Sequence, residues 1–86
     1  MTKPEKILIK ILSGTSDTNI RFQELRNVLD RLGFSERVKG SHHIFWHKDI
    51  LEIINLQVKG SNAKAYQVKQ VRNIILKYKL GELPNE

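Results

Sequence analysis

The 86-residue sequence predicts a single α+β domain in which a three-stranded antiparallel sheet carries its helices on one face. In two segments, near residues 21–32 and 65–80, apolar residues recur every three or four positions, which indicates amphipathic helices. Between them lie three short segments separated by turn signals and rich in β-branched and aromatic residues, which is typical of an antiparallel meander. A chain of this length has room for one thin hydrophobic core.

The first part of the chain predicts a short helix followed by a loop. Pro4 stands at the start of an apolar segment over residues 5–12, and residues 13–19 are small and polar. We treat residues 3–19 as an N-terminal extension, residues 20–80 as the core of the domain and residues 81–86 as a tail.

The second predicted helix spans about residues 21–32, and its end has a clear signal. Gly33 follows the last apolar position and Phe34 comes next. A glycine in the left-handed conformation followed by an apolar residue that packs back on the helix is a common way for a helix to end.

The three strands are predicted at residues 35–39, 42–47 and 51–57. Gly40-Ser41 forms the first turn and Lys48-Asp49 the second. The last helix is predicted over residues 65–80, packed on the sheet through its apolar stripe.

The composition excludes several classes of protein. The chain has no cysteine, so disulfide frameworks, cysteine-based zinc sites and thiol nucleophiles are excluded. No segment has the length of a membrane span, and Lys10 interrupts an apolar patch that is too short for a secretory signal. We therefore expect a cytoplasmic protein in a reducing environment.

The net charge of +6 belongs to one segment of the chain. Between Glu52 and Glu82 there are six basic residues and no acidic one, while the rest of the chain is balanced. A localised basic surface attracts polyanions such as nucleic acid. It can equally be a solvated helix face that keeps the protein soluble.

All three histidines fall within six residues. Strand alternation places His42 on one face with Ile44 and Trp46, and His43 on the other face with Phe45 and His47. A metal site is disfavoured, because His43 and His47 are four residues apart on a strand and no carboxylate stands nearby as a third ligand. Side-chain packing and acid–base catalysis both remain open.

Acid–base catalysis suits the cleavage of RNA. The 2′-hydroxyl is the nucleophile, so the protein needs a base, an acid and cations near the phosphate, and no metal or other cofactor. A histidine after a Gly-Ser turn and near a basic helix provides these groups. Ser41 is an alternative nucleophile, but no acidic residue is placed behind the histidine as a catalytic triad requires.

The sequence GSHHIF at residues 40–45, following RLGF at residues 31–34, resembles the HicA toxins of bacterial and archaeal toxin–antitoxin pairs. The resemblance covers roughly residues 20–80. It implies an α-β-β-β-α fold like that of double-stranded-RNA-binding domains, here with an extra N-terminal helix. It also implies a ribosome-independent endoribonuclease that cleaves mRNA and is inhibited by a HicB-like antitoxin protein.

Within this resemblance, the histidine directly after Gly-Ser is the catalytic residue, which is His42. We expect lysines of the last helix and its start to hold the phosphate, the turn to let RNA approach closely, and Trp46 to stack on a base or to pack in the core or against the antitoxin. The expected RNA-binding residues are Gly40, Ser41, Trp46, Lys64, Lys69 and Arg72.

Three alternatives follow from the same features. The first is a non-catalytic RNA-binding module with the same fold. The second is a DNA-binding regulator, which is disfavoured because strands separate the two longer helices and leave no helix-turn-helix. The third is an interaction protein whose basic surface binds an acidic partner.

Overall fold

The computed structural model describes residues 3–80, and the predicted tail lies outside this range. The elements are α1 (Lys3–Ser13), α2 (Phe22–Arg31), β1 (Ser35–Lys39), β2 (His42–Trp46), β3 (Ile54–Gln57) and α3 (Ala65–Lys77). The strands form one antiparallel sheet in the order β1-β2-β3. The predicted α+β class and the meander of three strands are therefore confirmed.

The hydrophobic core lies between the helices and one face of the sheet. On β2 and β3, alternate residues are buried, among them Phe45, Ile54 and Leu56, because a strand turns successive side chains to opposite faces. The inner stripes of the helices cover them with side chains such as Leu25 and Val71, which are fully buried. Within residues 3–80, no helix packs on the other face of the sheet.

Helix α1 belongs to this core. Its residues Ile7, Leu8 and Ile11 are buried, and the helix packs against α2 and α3. The segment predicted as an extension therefore completes the same domain.

Helix α2 ends as the sequence predicts. Gly33 has a φ of +97°, and the N–H of Phe34 donates to the carbonyl of Leu29 at 3.0 Å. Phe34 is buried. The glycine is required here because other residues rarely adopt this backbone conformation.

The turn between β1 and β2 sets the register between these two strands. Lys39 pairs with His42, so the loop contains only Gly40 and Ser41, and Gly40 has a φ of +60°. On its other side His42 pairs with Gln57 of β3.

Strand β3 is shorter than predicted. It begins at Ile54 rather than at residue 51. Before it, Glu52 accepts hydrogen bonds from Lys77 and Tyr78, which hold this segment against the end of α3 and away from the edge of the sheet. Leu51 is consequently 93% exposed.

Buried Gln67 fastens the start of α3 to the end of β3. Its Oε1 accepts from the N–H of Lys64 at 3.0 Å, and its Nε2 donates to the carbonyl of Gln57 at 2.9 Å. The helix ends at Lys77, three residues before the predicted end. No helix within residues 3–80 is long and apolar enough to cross a bilayer.

Candidate active site

The face of the sheet turned away from the helices, here called the open face, carries a basic and aromatic set of side chains. The strand register places three residues of β1, three of β2 and two of β3 on it. None of the eight is acidic. They are Ser35, Arg37, Lys39, His42, Ile44, Trp46, Asn55 and Gln57.

His42 is exposed on the open face and is held by a neighbour on the next strand. Its Nδ1 lies 3.2 Å from Oδ1 of Asn55. Lys39 stands opposite His42 on β1, and Gln57 stands opposite it on β3. When Nδ1 carries the proton it donates to the amide oxygen, which leaves Nε2 as a base directed away from Asn55. No other side chain in residues 3–80 hydrogen-bonds to this imidazole.

Arg37, Lys39 and Asn55 were missed by sequence reasoning. For the two cations a signal existed, because a two-residue turn at Gly40-Ser41 already places alternate residues of β1 on the face of His42. For Asn55 there was none, since its position depends on the register between β2 and β3, which no short turn sets.

The turn residues have structural roles that differ from the expected one. Around Gly40 an added Cβ would meet no atom within 4 Å, so its backbone conformation, and not lack of space, requires glycine. The Ser41 hydroxyl accepts from Gln57 Nε2 at 3.3 Å, and its carbonyl accepts from the N–H of Val58 at 2.9 Å. These bonds hold the turn beside the end of β3.

Trp46 lies on the open face as predicted, with 42% of its surface exposed. It is four residues from His42 along the same strand, which corresponds to roughly 13 Å. An exposed indole at this distance is available to stack on a base.

The cations assigned to α3 are not all close to His42, which corrects the expected arrangement. Lys64 is exposed just before α3, in the segment that Gln67 joins to the end of β3. Lys69 is exposed on α3 itself, in the helical layer on the other side of the sheet.

Arg72 is occupied by an ion pair. Its two terminal nitrogens bind the carboxylate of Asp17 at 2.8 and 3.1 Å, and one of them also donates to the carbonyl of Ile11. This guanidinium joins α3 to α1 and to the loop that follows α1. It is therefore not a phosphate ligand in this arrangement.

His43 shares the buried face of β2 with Phe45, as predicted, and a carboxylate lies behind it. Its Nδ1 is 2.6 Å from Oε2 of Glu36, which in turn accepts two hydrogen bonds from Arg26 at 2.8 and 2.9 Å. Arg26 first, and His43 to a lesser degree, lower the pKa of Glu36 below its ordinary range. The ring of Phe22 packs edge-on against His43 with a centroid distance of 5.0 Å.

His47 has a structural role. Its ring packs edge-on against Phe34 at a centroid distance of 5.1 Å, and its Nδ1 accepts from the N–H of Asp49 at 3.1 Å. In the part of the chain that the structure describes, no three His, Asp or Glu side chains are grouped so that they could hold a metal ion.

Comparisons of this chain with protein-family models, with curated proteins and with solved structures return no match.

Proposed function

We propose that this protein is an endoribonuclease that cleaves mRNA by metal-independent acid–base catalysis at His42. The observation that carries the proposal is the open face itself. It presents an exposed imidazole oriented by Asn55, with Lys39 directly across the strand pair and with no acidic side chain among the strand residues on that face. An anionic phosphodiester therefore meets a base and positive charge on one surface.

The proposed reaction is a transesterification within the RNA. Nε2 of His42 takes the proton of the 2′-hydroxyl, the 2′-oxygen attacks the adjacent phosphorus, and the bond from phosphorus to the 5′-oxygen breaks. The departing 5′-oxygen takes a proton from the Lys39 ammonium or from water. The products are a 2′,3′-cyclic phosphate and a 5′-hydroxyl end, and Lys39 stabilises the charge that develops on the phosphorane.

The remaining side chains of the open face bind the RNA in this proposal. Arg37, which forms no ion pair within the described residues, contacts a neighbouring phosphate, and the exposed ring of Trp46 stacks on a base. Lys64, just before α3, extends the phosphate contacts beyond the edge of the sheet.

The biological role rests on the resemblance of residues 31–34 and 40–45 to HicA toxins. We propose that the protein is the toxin of a type II toxin–antitoxin pair that acts in the cytoplasm, and that a HicB-like antitoxin covers the open face. We also propose that elements α2 to α3 form a fold like that of double-stranded-RNA-binding domains, and that α1 is an addition before it.

The direct test is His42→Ala assayed on a 5′-labelled mRNA fragment in the presence of EDTA. Loss of a general base costs about 10²- to 10⁴-fold in cleavage rate. We expect a loss of that size, with RNA affinity within about twofold of wild type, since the phosphate contacts come from other residues. His47→Ala is the matched control and keeps the cleavage rate, because His47 lies away from the open face.

The same assay separates this function from its main alternative. A non-catalytic RNA-binding module binds the fragment but leaves it intact in wild type and variant alike. Cleavage that survives in His42→Ala, or products that lack the 2′,3′-cyclic phosphate, would contradict the catalytic assignment.

A further inference from the structure

A groove lined by basic residues lies on the helix side of the sheet, opposite the open face on which the proposed reaction takes place. It has a volume of about 280 Å³ and is lined by residues that include Arg21, Arg26, His43 and Ser61. Its size is at the lower end of the range for small-molecule sites, so it suits a group no larger than a phosphate with part of a sugar.

The second nitrogen of His43 opens into this groove. The residue is only 8% exposed, and its Nδ1 is bonded to Glu36. Within the described residues, every fully buried side-chain nitrogen or oxygen has a hydrogen-bond partner. Nε2 of His43 has no such partner, so this atom is not fully buried, and the residue lines the groove.

The charges around the groove favour an anion. No residue that lines the groove is acidic. Two carboxylates are bonded to lining residues: Glu36 is paired with Arg26 and His43, and Glu24 accepts from the backbone N–H of Arg21 at 2.9 Å. Arg21 also lines the groove, and its guanidinium forms no salt bridge within residues 3–80. The lining of the groove therefore contains the guanidinium groups of Arg21 and Arg26 and no carboxylate.

Backbone groups add to this preference. The groove lies at the N-terminus of the ten-residue helix α2, and Gln23 of its first turn lines it. N–H groups in the first turn of a helix have no acceptor within the helix, and they carry the positive end of its dipole. The N–H of Phe22 is already bonded to the carbonyl of Ser61.

We propose that this groove binds a phosphate group. One phosphate oxygen accepts a hydrogen bond from Nε2–H of His43, and another pairs with the guanidinium of Arg21. The site is separate from His42, because consecutive residues of β2 face opposite sides of the sheet. The ligand is either free phosphate or a backbone phosphate of a bound RNA strand, and the chemistry of recognition is the same.

The test follows the imidazole Cε1–Hε1 signals of the three histidines by NMR while inorganic phosphate replaces chloride at constant pH and ionic strength. We expect the His43 signal to shift saturably and the His47 signal to stay unchanged. Arg21→Gln removes a charge-assisted contact and weakens binding about tenfold. Lys48→Gln is the control, an exposed lysine of the turn after β2 that does not line the groove, and it leaves the affinity unchanged.

Three results would overturn the site: no shift of His43 up to about 50 mM phosphate, equal affinity in Arg21→Gln and wild type, or a shift of His42 in place of His43. A second arm adds a short RNA that ends in hydroxyls. If the RNA shifts the His43 signal and competes with phosphate, the site takes a backbone phosphate. If the RNA neither shifts the His43 signal nor competes with phosphate, the site takes the free ion. Both results uphold the groove as a phosphate site.

Discussion

Asn55 determines which nitrogen of His42 is available for chemistry. Its amide oxygen is an uncharged acceptor 3.2 Å from Nδ1, so it favours the tautomer that carries the proton on that nitrogen and presents Nε2 as the base. The adjacent His43 has a charged partner, Glu36, on the same nitrogen. The two histidines therefore differ in chemistry although they are neighbours in the sequence.

We predict that Asn55→Ala lowers kcat for RNA cleavage about tenfold, because the imidazole loses its fixed tautomer and orientation. Asn55→Asp keeps an oxygen acceptor at the same position and recovers most of the rate. Steady-state kinetics on a labelled RNA measure both variants. Gln57→Ala is the control, since Gln57 bonds to Ser41 and not to His42. Equal kcat values for Asn55→Ala and wild type would contradict this role.

At the scale of secondary-structure elements, Arg72 connects three parts of the chain. Its guanidinium binds Asp17 through both terminal nitrogens and also reaches the last carbonyls of α1 at Ile11. About 15% of the Arg72 side chain and 20% of the Asp17 side chain are exposed, so solvent screens this pair only in part. The pair therefore stabilises the packing of α3 against α1 and its loop.

We predict that Arg72→Gln lowers the free energy of unfolding by about 2 kcal/mol, because it leaves Asp17 without its partner in a partly buried position. Urea denaturation monitored by circular dichroism measures the loss. Lys69→Gln, an exposed substitution on the same helix, is expected to change stability by less than about 0.5 kcal/mol. Similar unfolding midpoints for the two variants would show that the pair contributes little.

The elements were more predictable than the contacts between them. Hydrophobic periodicity placed α2 and α3 within a few residues of their observed bounds, and turn signals placed β1 and β2 because a two-residue loop leaves little choice of register. The start of β3 was predicted three residues too early. The apolar residues before Ile54 match strand preferences, but the hydrogen bonds of Glu52 to Lys77 and Tyr78 hold this segment beside the end of α3. Such a long-range bond leaves no local signal.

The positions of the site residues were likewise predicted only where a local pattern determines them. Strand alternation correctly put His42 with Trp46 and His43 with Phe45. The basic residues of α3 were expected beside His42 because they are dense in the sequence, yet sequence density does not say which layer a helix joins. Arg72 looked like a free cation because its partner, Asp17, is 55 residues away.

At the scale of the whole molecule, two carboxylates make stability depend on acid pH. Glu36 is paired with Arg26 and His43, and Glu52 with Lys77 and Tyr78. These partners lower the pKa of Glu36 below its ordinary value of 4.5, and they lower the pKa of Glu52 to about 2. A carboxylate whose pKa is lower in the folded state stabilises the fold above its ordinary pKa, and this contribution is lost as the pH falls through the folded value.

We therefore predict that the urea midpoint decreases as the pH is lowered from 4.5 toward 2. Glu36→Gln is less stable than wild type at neutral pH, because Arg26 and His43 lose their charged partner, and the difference shrinks across that window. Urea titrations at neutral pH and at several acid values measure both proteins. A wild-type midpoint that stays constant across the window, or a Glu36→Gln deficit that does not shrink as the pH falls below 4.5, would contradict the proposed linkage.

The two-residue turn at Gly40-Ser41 has a consequence for how mutation can alter this protein. His42 and His43 are identical neighbours in the sequence. The register between β1 and β2, which the length of the turn sets, decides which of them faces solvent. An insertion that moved β2 by one residue would exchange the two. His43, which now bonds to Glu36, would face solvent, and His42, which now bonds to Asn55, would face the core. A change of loop length, with every side chain intact, would thus act as severely as loss of the histidine.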